Sequence, residues 1–336
     1  MGHTASPSPE PGADLTEPAR PNVLAAVERA LPRVRAWAGR YSVMGASDDA
    51  RDTVVWSTLY GAATWPDGSA QTVADEAALA LALFAYDDLM EGKFVDLSYR
   101  ELGEVAEACL ESGFSRTATG RPDIAPGAPR EVVDAFSDVF HRLRKCPAWP
   151  SIEWYVAQRW RKGLAAMLRD SGWRLGVEKR PETLAEYLPT AVESLLTIPY
   201  AAAWMVKCGV TKLDAADLTR WHRAADEAAM ALRLSNDLGT AERESLSGTV
   251  NAVEILMRGG MSLDQATTSL RDMAAASLAR LGPAVDALPE HLMPPGRAMV
   301  RVARFTCGWW TERDTDALQL AELRGLLGAR GDQEER

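Results

Sequence analysis

The chain has 336 residues, of which 47% are hydrophobic, so it is long enough to bury the core of one large domain. Its net charge of −10 argues against a nucleic-acid partner, and it would repel a polyanionic substrate unless bound metal ions intervened. Four scattered cysteines and four histidines show no ligand spacing, which argues against a zinc site and a histidine-based triad. With no apolar run long enough to span a bilayer, the chain is expected to be a cytoplasmic protein with reduced thiols.

Residues 1–21 are rich in Pro, Glu and Ala, which predicts a disordered segment before one domain over residues 22–320 and a flexible tail over residues 321–336. Within the domain, apolar residues recur at three- and four-residue spacing, which is typical of helices. In the first half this spacing predicts helices over residues 23–41, 49–60, 72–91, 98–112, 131–145 and 152–170. A loop dense in proline and glycine, residues 115–130, separates two of them.

The next predicted helix, residues 181–207, is strongly apolar and is interrupted by Pro189 and Pro199. Proline has no N–H group, so Pro199 cannot donate the helical hydrogen bond to the carbonyl of Leu195. This interruption has two interpretations. It could be an ordinary helix kink, or the free carbonyl of Leu195 could stabilise a cation in an otherwise apolar pocket.

The remaining helices are predicted from Leu213 to a flexible link at residues 245–249, and then over residues 251–257, 262–280 and 295–312. No segment alternates apolar and polar residues as a half-buried strand does, and no repeat is visible. The chain is therefore predicted to be all-α.

One polar stripe stands out in the segment ALRLSNDLGTAERE. Asn236, Thr240 and Glu244 recur every four residues, so their side chains lie on one face of a helix. An amide oxygen, a hydroxyl and a carboxylate are hard ligands, which suit Mg²⁺ better than a soft metal. Arg233 and Arg243 flank the stripe and could contact an anion held by that metal.

A second cluster, in ALALALFAYDDLMEG, places Asp87, Asp88 and Glu91 at the end of an apolar helix. Acids at a helix C-terminus oppose the helix dipole, at a cost of about 0.3–1 kcal/mol each, so a cation should offset them. Either cluster alone is common on solvated helices. Together, on two helices with apolar neighbours, they predict metal ligands on opposite rims of one cavity.

The two clusters carry a family resemblance. LRLSNDLGTAERE resembles the NSE/DTE metal motif of class I terpene synthases, and DDLME resembles their aspartate-rich motif. GTVNAVEIL and RGGMSLDQA are also similar to family segments, and the likeness extends over about residues 23–320. The resemblance implies a single α-helical bundle of the isoprenoid synthase type with a central apolar cavity. It also implies three Mg²⁺ ions, with ligands Asp87, Asp88 and Glu91 on one rim and Asn236, Thr240 and Glu244 on the other.

The same resemblance assigns roles in catalysis to Asp87, Asn236, Arg233 and Arg243. The two arginines match residues that contact a prenyl diphosphate in the family. Metal ions and arginines would neutralise the leaving diphosphate, so the C–O bond could ionise to an allylic carbocation without an acid or a nucleophile.

The carbocation would need an aromatic-lined apolar pocket, in which cation–π contact supplies about 0.5–2 kcal/mol per ring. Each candidate for this pocket could equally be plain core. If the carbonyl freed by Pro199 steers the cation, substituting Ile198 should change the product mixture. The candidate lining residues are Phe84, Leu195, Ile198, Trp204, Trp309 and Trp310.

Two departures from the pattern of many bacterial sesquiterpene synthases bear on the substrate. Ala191, after EYLPT, stands where they carry a diphosphate-sensing arginine, and their C-terminal Arg-Tyr pair is absent. ARFTCGWWTERD, with Arg304, Trp310 and Asp314, instead resembles a segment of plant-type diterpene synthases. The chain is accordingly expected to be a bacterial labdane-related diterpene synthase that binds a copalyl-type diphosphate, partly through Arg304. A partner class II cyclase would supply that substrate, and the chain could be a homodimer.

Other functions fit the sequence less well. A cyclase acting on linear farnesyl or geranylgeranyl diphosphate is the closest alternative. A chain-elongating prenyltransferase would need a second aspartate-rich motif, and a protonation-initiated cyclase would need a DxDD motif, and the sequence has neither. From a different class, a non-catalytic helical scaffold would carry both acidic clusters as solvated faces.

Overall fold

The computed structural model describes residues 19–45, 48–114 and 124–310, and the regular secondary structure within these ranges is entirely helical. The all-α prediction is therefore confirmed. None of the described helices combines the length and the apolar character needed to cross a lipid bilayer. The helices are α1 (Ala19–Ala38), α2 (Ser42–Gly45), α3 (Asp48–Thr64), α4 (Ala70–Met90), α5 (Tyr99–Phe114), α6 (Ala128–Arg144), α7 (Trp149–Leu175), α8 (Leu184–Ser194), α9 (Thr197–Lys207), α10 (Ala215–Ser247), α11 (Ala252–Arg258), α12 (Leu263–Asp286) and α13 (Met293–Trp310), with a 3₁₀ turn at Glu290–Leu292.

Two predicted boundaries differ from the observed ones. α1 begins at Ala19, inside the segment predicted to be disordered, because Pro21 lies in the first turn, where a helix does not use the missing N–H. α10 continues through most of the predicted link and ends before Gly248, which has φ of 73° and forms a left-handed C-cap. Residues 1–18 and 311–336, which hold the rest of the predicted N-terminal segment, the predicted tail and Asp314, lie outside the described residues.

α4 lies at the centre of the bundle because it is apolar on all sides. The side chain of Ser69 caps its N-terminus by accepting a hydrogen bond of 3.1 Å from the N–H of Thr72. Helices α1, α3, α6 and α7 pack against it. The polar side chains of α4 that are not fully buried, such as Asp75 and Asp87, would move into the apolar packing if the helix rotated. This packing therefore fixes the direction in which the last turn of α4 points.

One charged residue, Glu76, is fully buried within α4. Its carboxylate accepts hydrogen bonds from Trp204 (2.7 Å) and Trp65 (3.1 Å) and pairs with the ammonium group of Lys207. Tyr200 donates to the Glu76 carbonyl at 3.0 Å. Since a buried charge is tolerated only when it is paired and hydrogen-bonded, this network ties α4 to α9 in one register.

α10 is the longest helix, with 33 residues, and it packs on α12 and α13. It starts with a capping box in which Asp214 accepts from the N–H of Asp217 at 2.8 Å and Asp217 accepts in return at 3.3 Å. Its buried face is rich in small side chains, which let neighbouring helices approach closely. The fully buried alanines of this face are Ala224, Ala225, Ala228, Ala229 and Ala231.

Candidate active site

A cavity of about 210 Å³ lies among α3, α4, α7, α10, α13 and the junction of α8 with α9. Along α4 its lining changes from Leu83 and Phe84 to Asp87, Asp88 and Glu91 as the helix approaches its C-terminus. The lining also changes from apolar to polar along α7 and α10. The cavity therefore has an apolar part and a polar part, and the helix directions place the polar side chains toward the helix ends.

The first polar rim is the last turn of α4. The ammonium group of Lys93 lies 2.6 Å from Asp88 and 2.9 Å from Glu91, and these carboxylates raise its pKa although burial acts to lower it. Burial, with Glu91 and Asp88 nearby, raises the pKa of the Asp87 carboxyl well above its ordinary value. This rim therefore carries more carboxylates than local cations, and Asp87 forms no ion pair within the described chain.

The second polar rim is the stripe on α10. Asn236 and Glu244 line the cavity, and burial raises the pKa of Glu244 to about 7. Thr240, between them in the stripe, is almost fully buried and does not line the cavity, and its hydroxyl donates to the Asn236 carbonyl at 2.8 Å. Asn251 donates to Glu244 at 2.8 Å and to the carbonyl of Asp237 at 2.9 Å. The segment after α10 thus folds back and holds the stripe in place.

Behind the stripe lies a buried ion pair between Arg233 and Asp237, one helical turn apart. The Tyr187 hydroxyl is 3.1 Å from both oxygens of Asp237, and the Arg233 guanidinium lies 5.7 Å from the centre of the Tyr187 ring. The backbone N–H of Ala252 donates to Asp237 at 3.4 Å. Since Arg233 also lines the cavity, Asp237 and Tyr187 orient its charge at the wall.

The two rims offer a donor set that fits a hard divalent cation, because carboxylate and amide oxygens from both border one cavity. Among residues 19–45, 48–114 and 124–310, no three Asp, Glu, His or Cys side chains form a preassembled metal cage. The donors are divided between α4 and α10. A metal that joins them would therefore need further oxygen ligands from whatever occupies the space between the rims.

Comparison with known proteins identifies the family. The sequence model described as terpene synthase family 2, C-terminal metal binding, matches residues 78–280, which is more than half of the chain and includes both rims. The chain belongs to this terpene synthase family. It is therefore a metal-binding lyase that acts on prenyl diphosphates. This excludes the alternative of a non-catalytic helical scaffold.

Solved structures agree with this fold. The linalool/nerolidol synthase from Streptomyces clavuligerus, in complex with 2-fluorogeranyl diphosphate, aligns over 84% of this chain and 98% of its own at 18% identity, with a TM-score of 0.70. A single-residue variant of cucumene synthase aligns over 87% of this chain and 96% of its own at 18% identity, with a TM-score of 0.65. At these identities the likeness establishes the fold alone.

A plant relative extends the comparison. The isoprene synthase from grey poplar leaves (Populus x canescens), in complex with three Mg²⁺ ions and dimethylallyl-S-thiolodiphosphate, aligns over 91% of this chain and 58% of its own. Its identity is 17% and its TM-score is 0.66. Among curated proteins, none matches this sequence.

Most of the predicted site residues of this terpene synthase meet at the cavity. They come from three separate helices, α4, α10 and α13, and from the junction of α8 with α9, so the fold brings together residues that are far apart in the sequence. Those that line it are Phe84, Asp87, Asp88, Glu91, Leu195, Arg233, Asn236, Arg243, Glu244 and Trp310.

Four predicted pocket residues lie outside this lining. Trp204 is fully buried, and its indole N–H donates to Glu76. Ile198 packs in the hydrophobic core of the bundle. Trp309 packs on Trp56, with ring centres 5.1 Å apart, and Arg304 is exposed on α13. Sequence spacing could not separate these positions from pocket positions, because a buried face of a helix looks the same whether it meets a core or a cavity.

Several residues that shape the site were not predicted. Lys93 supplies part of the cation expected beside the acidic cluster, and it follows that motif directly. Asp237 and Asn251 hold the stripe but belong to no ligand pattern of their own. Asp170 and Arg174 line the cavity from α7, a helix in which the sequence shows no metal or anion motif.

The helix predicted over residues 181–207 is in fact two helices, and the break lies before Pro199 rather than at it. It occurs at Leu196, which has φ of 60° and ψ of 12°, a conformation that costs a residue with a side chain about 1–3 kcal/mol. Pro199 lies in the first turn of α9, where its missing N–H is harmless. Leu195 and Leu196 line the cavity, so the break itself forms part of the wall.

Contacts from α7 hold this break. Glu193 accepts hydrogen bonds from Arg159 at 2.8 and 2.9 Å and from Lys162 at 2.6 Å, and its carbonyl accepts the N–H of Leu196 at 3.1 Å. Gly163 faces the break so closely that an added Cβ would lie 2.3 Å from a methyl carbon of Leu196. A glycine is therefore required there for Leu196 to stay in the wall.

Replacing Gly163 with alanine should push Leu196 toward the cavity. We expect a loss of about 1–3 kcal/mol in the free energy of unfolding, together with a changed product distribution. Urea unfolding and chromatography of the hydrocarbons would measure both. The matched control is Gly282→Ala in α12, where an added Cβ meets no atom within 4 Å, so that variant should keep its stability and products. An unchanged product profile in Gly163→Ala would contradict this role of the break.

Proposed function

We propose that this terpene synthase uses Mg²⁺ to ionise a prenyl diphosphate and converts the carbocation to a diterpene. The observation that carries the proposal is that two oxygen-rich helix faces border the polar part of one cavity, which also has an apolar part lined by aromatic and aliphatic side chains. Such an arrangement can hold a diphosphate at one end and a hydrocarbon at the other. It needs no protein nucleophile, because the diphosphate is itself the leaving group.

The proposed metal ligands are Asp87, Asp88 and Glu91 on α4 and Asn236, Thr240 and Glu244 on α10. The crowding of carboxylates on the first rim supports them, because burial together with Glu91 and Asp88 raises the pKa of Asp87, and a bound cation would offset this repulsion. The grey poplar isoprene synthase was solved with three Mg²⁺ ions, and we propose the same number here. When bound, these ions would neutralise charge on the leaving diphosphate.

Two arginines are proposed to bind the diphosphate. Arg233 reaches the cavity wall from within its buried pair with Asp237, so its position is restrained before substrate binds. Arg243 directly precedes Glu244, the last residue of the stripe, and this exposed residue also lines the cavity. A preoriented guanidinium stabilises developing negative charge without paying for reorganisation during the reaction.

The apolar part of the cavity is proposed to fold the hydrocarbon and exclude water from the cation. Phe84 and Trp310 line it together with Trp56, Tyr60 and Tyr200. Rings of this kind can each contribute about 0.5–2 kcal/mol of cation–π stabilisation. The cation would end by losing a proton or by capturing water.

For the substrate we propose a bicyclic diphosphate of the copalyl type, supplied by a separate class II cyclase. Two features support it. Arg233 precedes Asn236 by three residues, as in the metal motif of the plant-type diterpene synthases that the sequence resembles. Ala191, where many bacterial sesquiterpene synthases carry a diphosphate-sensing arginine, is fully buried in a hydrophobic cluster with Tyr187 and Leu234 and does not line the cavity. The alternative is linear farnesyl or geranylgeranyl diphosphate. The complex of linalool/nerolidol synthase with 2-fluorogeranyl diphosphate favours that alternative. A homodimer remains part of the proposal.

A diphosphate panel tests the substrate. Incubation with Mg²⁺ and farnesyl, geranylgeranyl or copalyl-type diphosphate should give hydrocarbon or alcohol from the bicyclic substrate, with turnover at least about tenfold above the linear ones. Turnover of the linear substrates alone would replace the substrate assignment and leave the ionisation intact. No turnover of any of them, by a folded protein, would count against the proposed function.

Ligand-dependent stability gives a second test that needs no substrate. Mg²⁺ and pyrophosphate added together should raise the melting temperature by several degrees, and either one alone should raise it little, because each completes the binding site of the other. Differential scanning calorimetry measures this. Equal shifts with each ligand alone would argue against a joint site.

A further inference from the structure

We propose that Asp170 of α7 supplies an additional carboxylate to the metal site, between the rims on α4 and α10. This inference rests on the proposed function, since it concerns the same cavity. Asp170 belongs to neither oxygen-rich motif, and it comes from a helix to which no metal ligand has been assigned. The site would then have three protein sides instead of two.

The position of Asp170 is set by contacts between α7 and the end of α4. Arg174 donates to the carbonyl of Met90 at 2.8 Å, and the Ser171 hydroxyl lies 3.4 Å from the same oxygen. Both residues line the cavity together with Asp170. The turn of α7 that carries Asp170 is thus fixed against the first rim.

The carboxylate of Asp170 lacks the partners that a buried acid normally has. Its Oδ1 atom is fully buried and accepts no hydrogen bond from the described part of the chain. It also forms no ion pair with any described arginine, lysine or histidine. Buried polar oxygens are nearly always hydrogen-bonded or bound to a cation, so a carboxylate that lines a cavity and has one buried, unsatisfied oxygen is a candidate ligand for a cation.

Charges from both rims act on this group. Burial raises the pKa of Asp170 to about 6, Arg233 lowers it, and Asp237 and Glu91 raise it. Since Glu91 lies on α4 while Arg233 and Asp237 lie on α10, Asp170 is close enough to both helices to sense their charges. A cation placed between the rims would therefore be attracted by Asp170 as well as by the motif residues.

A metal-binding role and a purely structural role of Asp170 predict opposite effects of its removal on the stability of the fold. If Asp170 were a stabilising core acid, its removal should weaken the fold. If it is held ready for a cation, removing its charge removes the cost of burying it and the repulsion from Glu91 and Asp237, which offset the lost attraction to Arg233 and Arg174. The metal-free protein should then be as stable as the wild type or more stable.

The test uses Mn²⁺ as a spectroscopic substitute for Mg²⁺, because both are hard, oxygen-seeking ions. Mn²⁺ affinity in the presence of pyrophosphate would be measured by electron paramagnetic resonance for wild type, Asp170→Asn and Asp170→Ala. We expect both variants to bind Mn²⁺ about tenfold or more weakly, with an unchanged or raised melting temperature without ligands. The control is Asp272→Asn, the same chemical change on the exposed face of α12, which should bind as wild type does.

Wild-type affinity in both Asp170 variants would overturn the inference, and so would a lowered melting temperature with unchanged affinity. Asn236→Ala keeps this failure separate from failure of the proposed function. If Asn236→Ala loses affinity and the Asp170 variants do not, the two-rim site stands without Asp170. If wild type itself binds no Mn²⁺ with pyrophosphate, the proposed function fails.

Discussion

Replacing Asn236 with alanine should reduce product formation by about 100-fold or more while leaving the fold intact. Asn236 lines the cavity as the first residue of the stripe, and its amide oxygen is the donor that the proposed metal site would lose. The residue is only part-buried, so its truncation removes little packing. Product would be measured by gas chromatography with mass spectrometry, and helical content and melting temperature by circular dichroism.

Asp87→Ala should have the same effect on product from the other rim. Because Asp87 is crowded by Glu91 and Asp88, its removal should leave the melting temperature unchanged or raised. The control for both is Asn22→Ala at the exposed start of α1, where the amide only reaches Asp67 at 3.3 Å. Wild-type turnover by either site variant would defeat the assignment of metal ligands to that rim.

The helical periodicity of the sequence was enough to predict the two rims. Residues four apart share a helix face whatever surrounds the helix, so Asn236 and Glu244 had to point the same way. The same holds for Asp87 and Glu91. That these two faces border one cavity is a tertiary fact, which helical spacing alone does not fix. The expectation came from the joint pattern of two acidic clusters on helices with apolar neighbours, and the family resemblance supported it.

The break between α8 and α9 shows what spacing could not predict. A proline is a visible signal, so the interruption was expected at Pro199. The chain instead breaks at Leu196, a residue with no local preference for positive φ, because Gly163 of α7 leaves room for its side chain. The strained conformation of Leu196 depends on packing against α7, which is distant in the sequence. The residues around Leu196 alone therefore do not predict its positive φ.

Charged residues without a motif were missed for a related reason. Asp170 resembles any acid near the end of a helix, and Asp237 resembles a polar neighbour of the stripe. Their importance depends on burial and on partners from other helices, such as Tyr187 for Asp237. Trp204 was misplaced for the same reason, since Glu76, its partner, lies far away in the sequence.

The buried pair of Arg233 with Asp237 should dominate the stability of the site. We expect Asp237→Ala to lower the free energy of unfolding by about 3–5 kcal/mol, because it leaves the Arg233 guanidinium buried without its counter-charge. The Tyr187 hydroxyl would lose both of its contacts with the carboxylate as well. Urea unfolding followed by circular dichroism measures the change.

A second substitution separates charge from packing. Adding Arg233→Met to Asp237→Ala should recover most of the lost stability, since it removes the unpaired charge and keeps the volume of the side chain, but it should not restore product. The control is Glu227→Ala, which breaks an exposed pair with Arg280 and should cost no more than about 1 kcal/mol. If Asp237→Ala costs no more than this control, Asp237 does not hold Arg233 in place. The orientation of Arg233 toward the cavity would then have to come from its contact with Tyr187 alone.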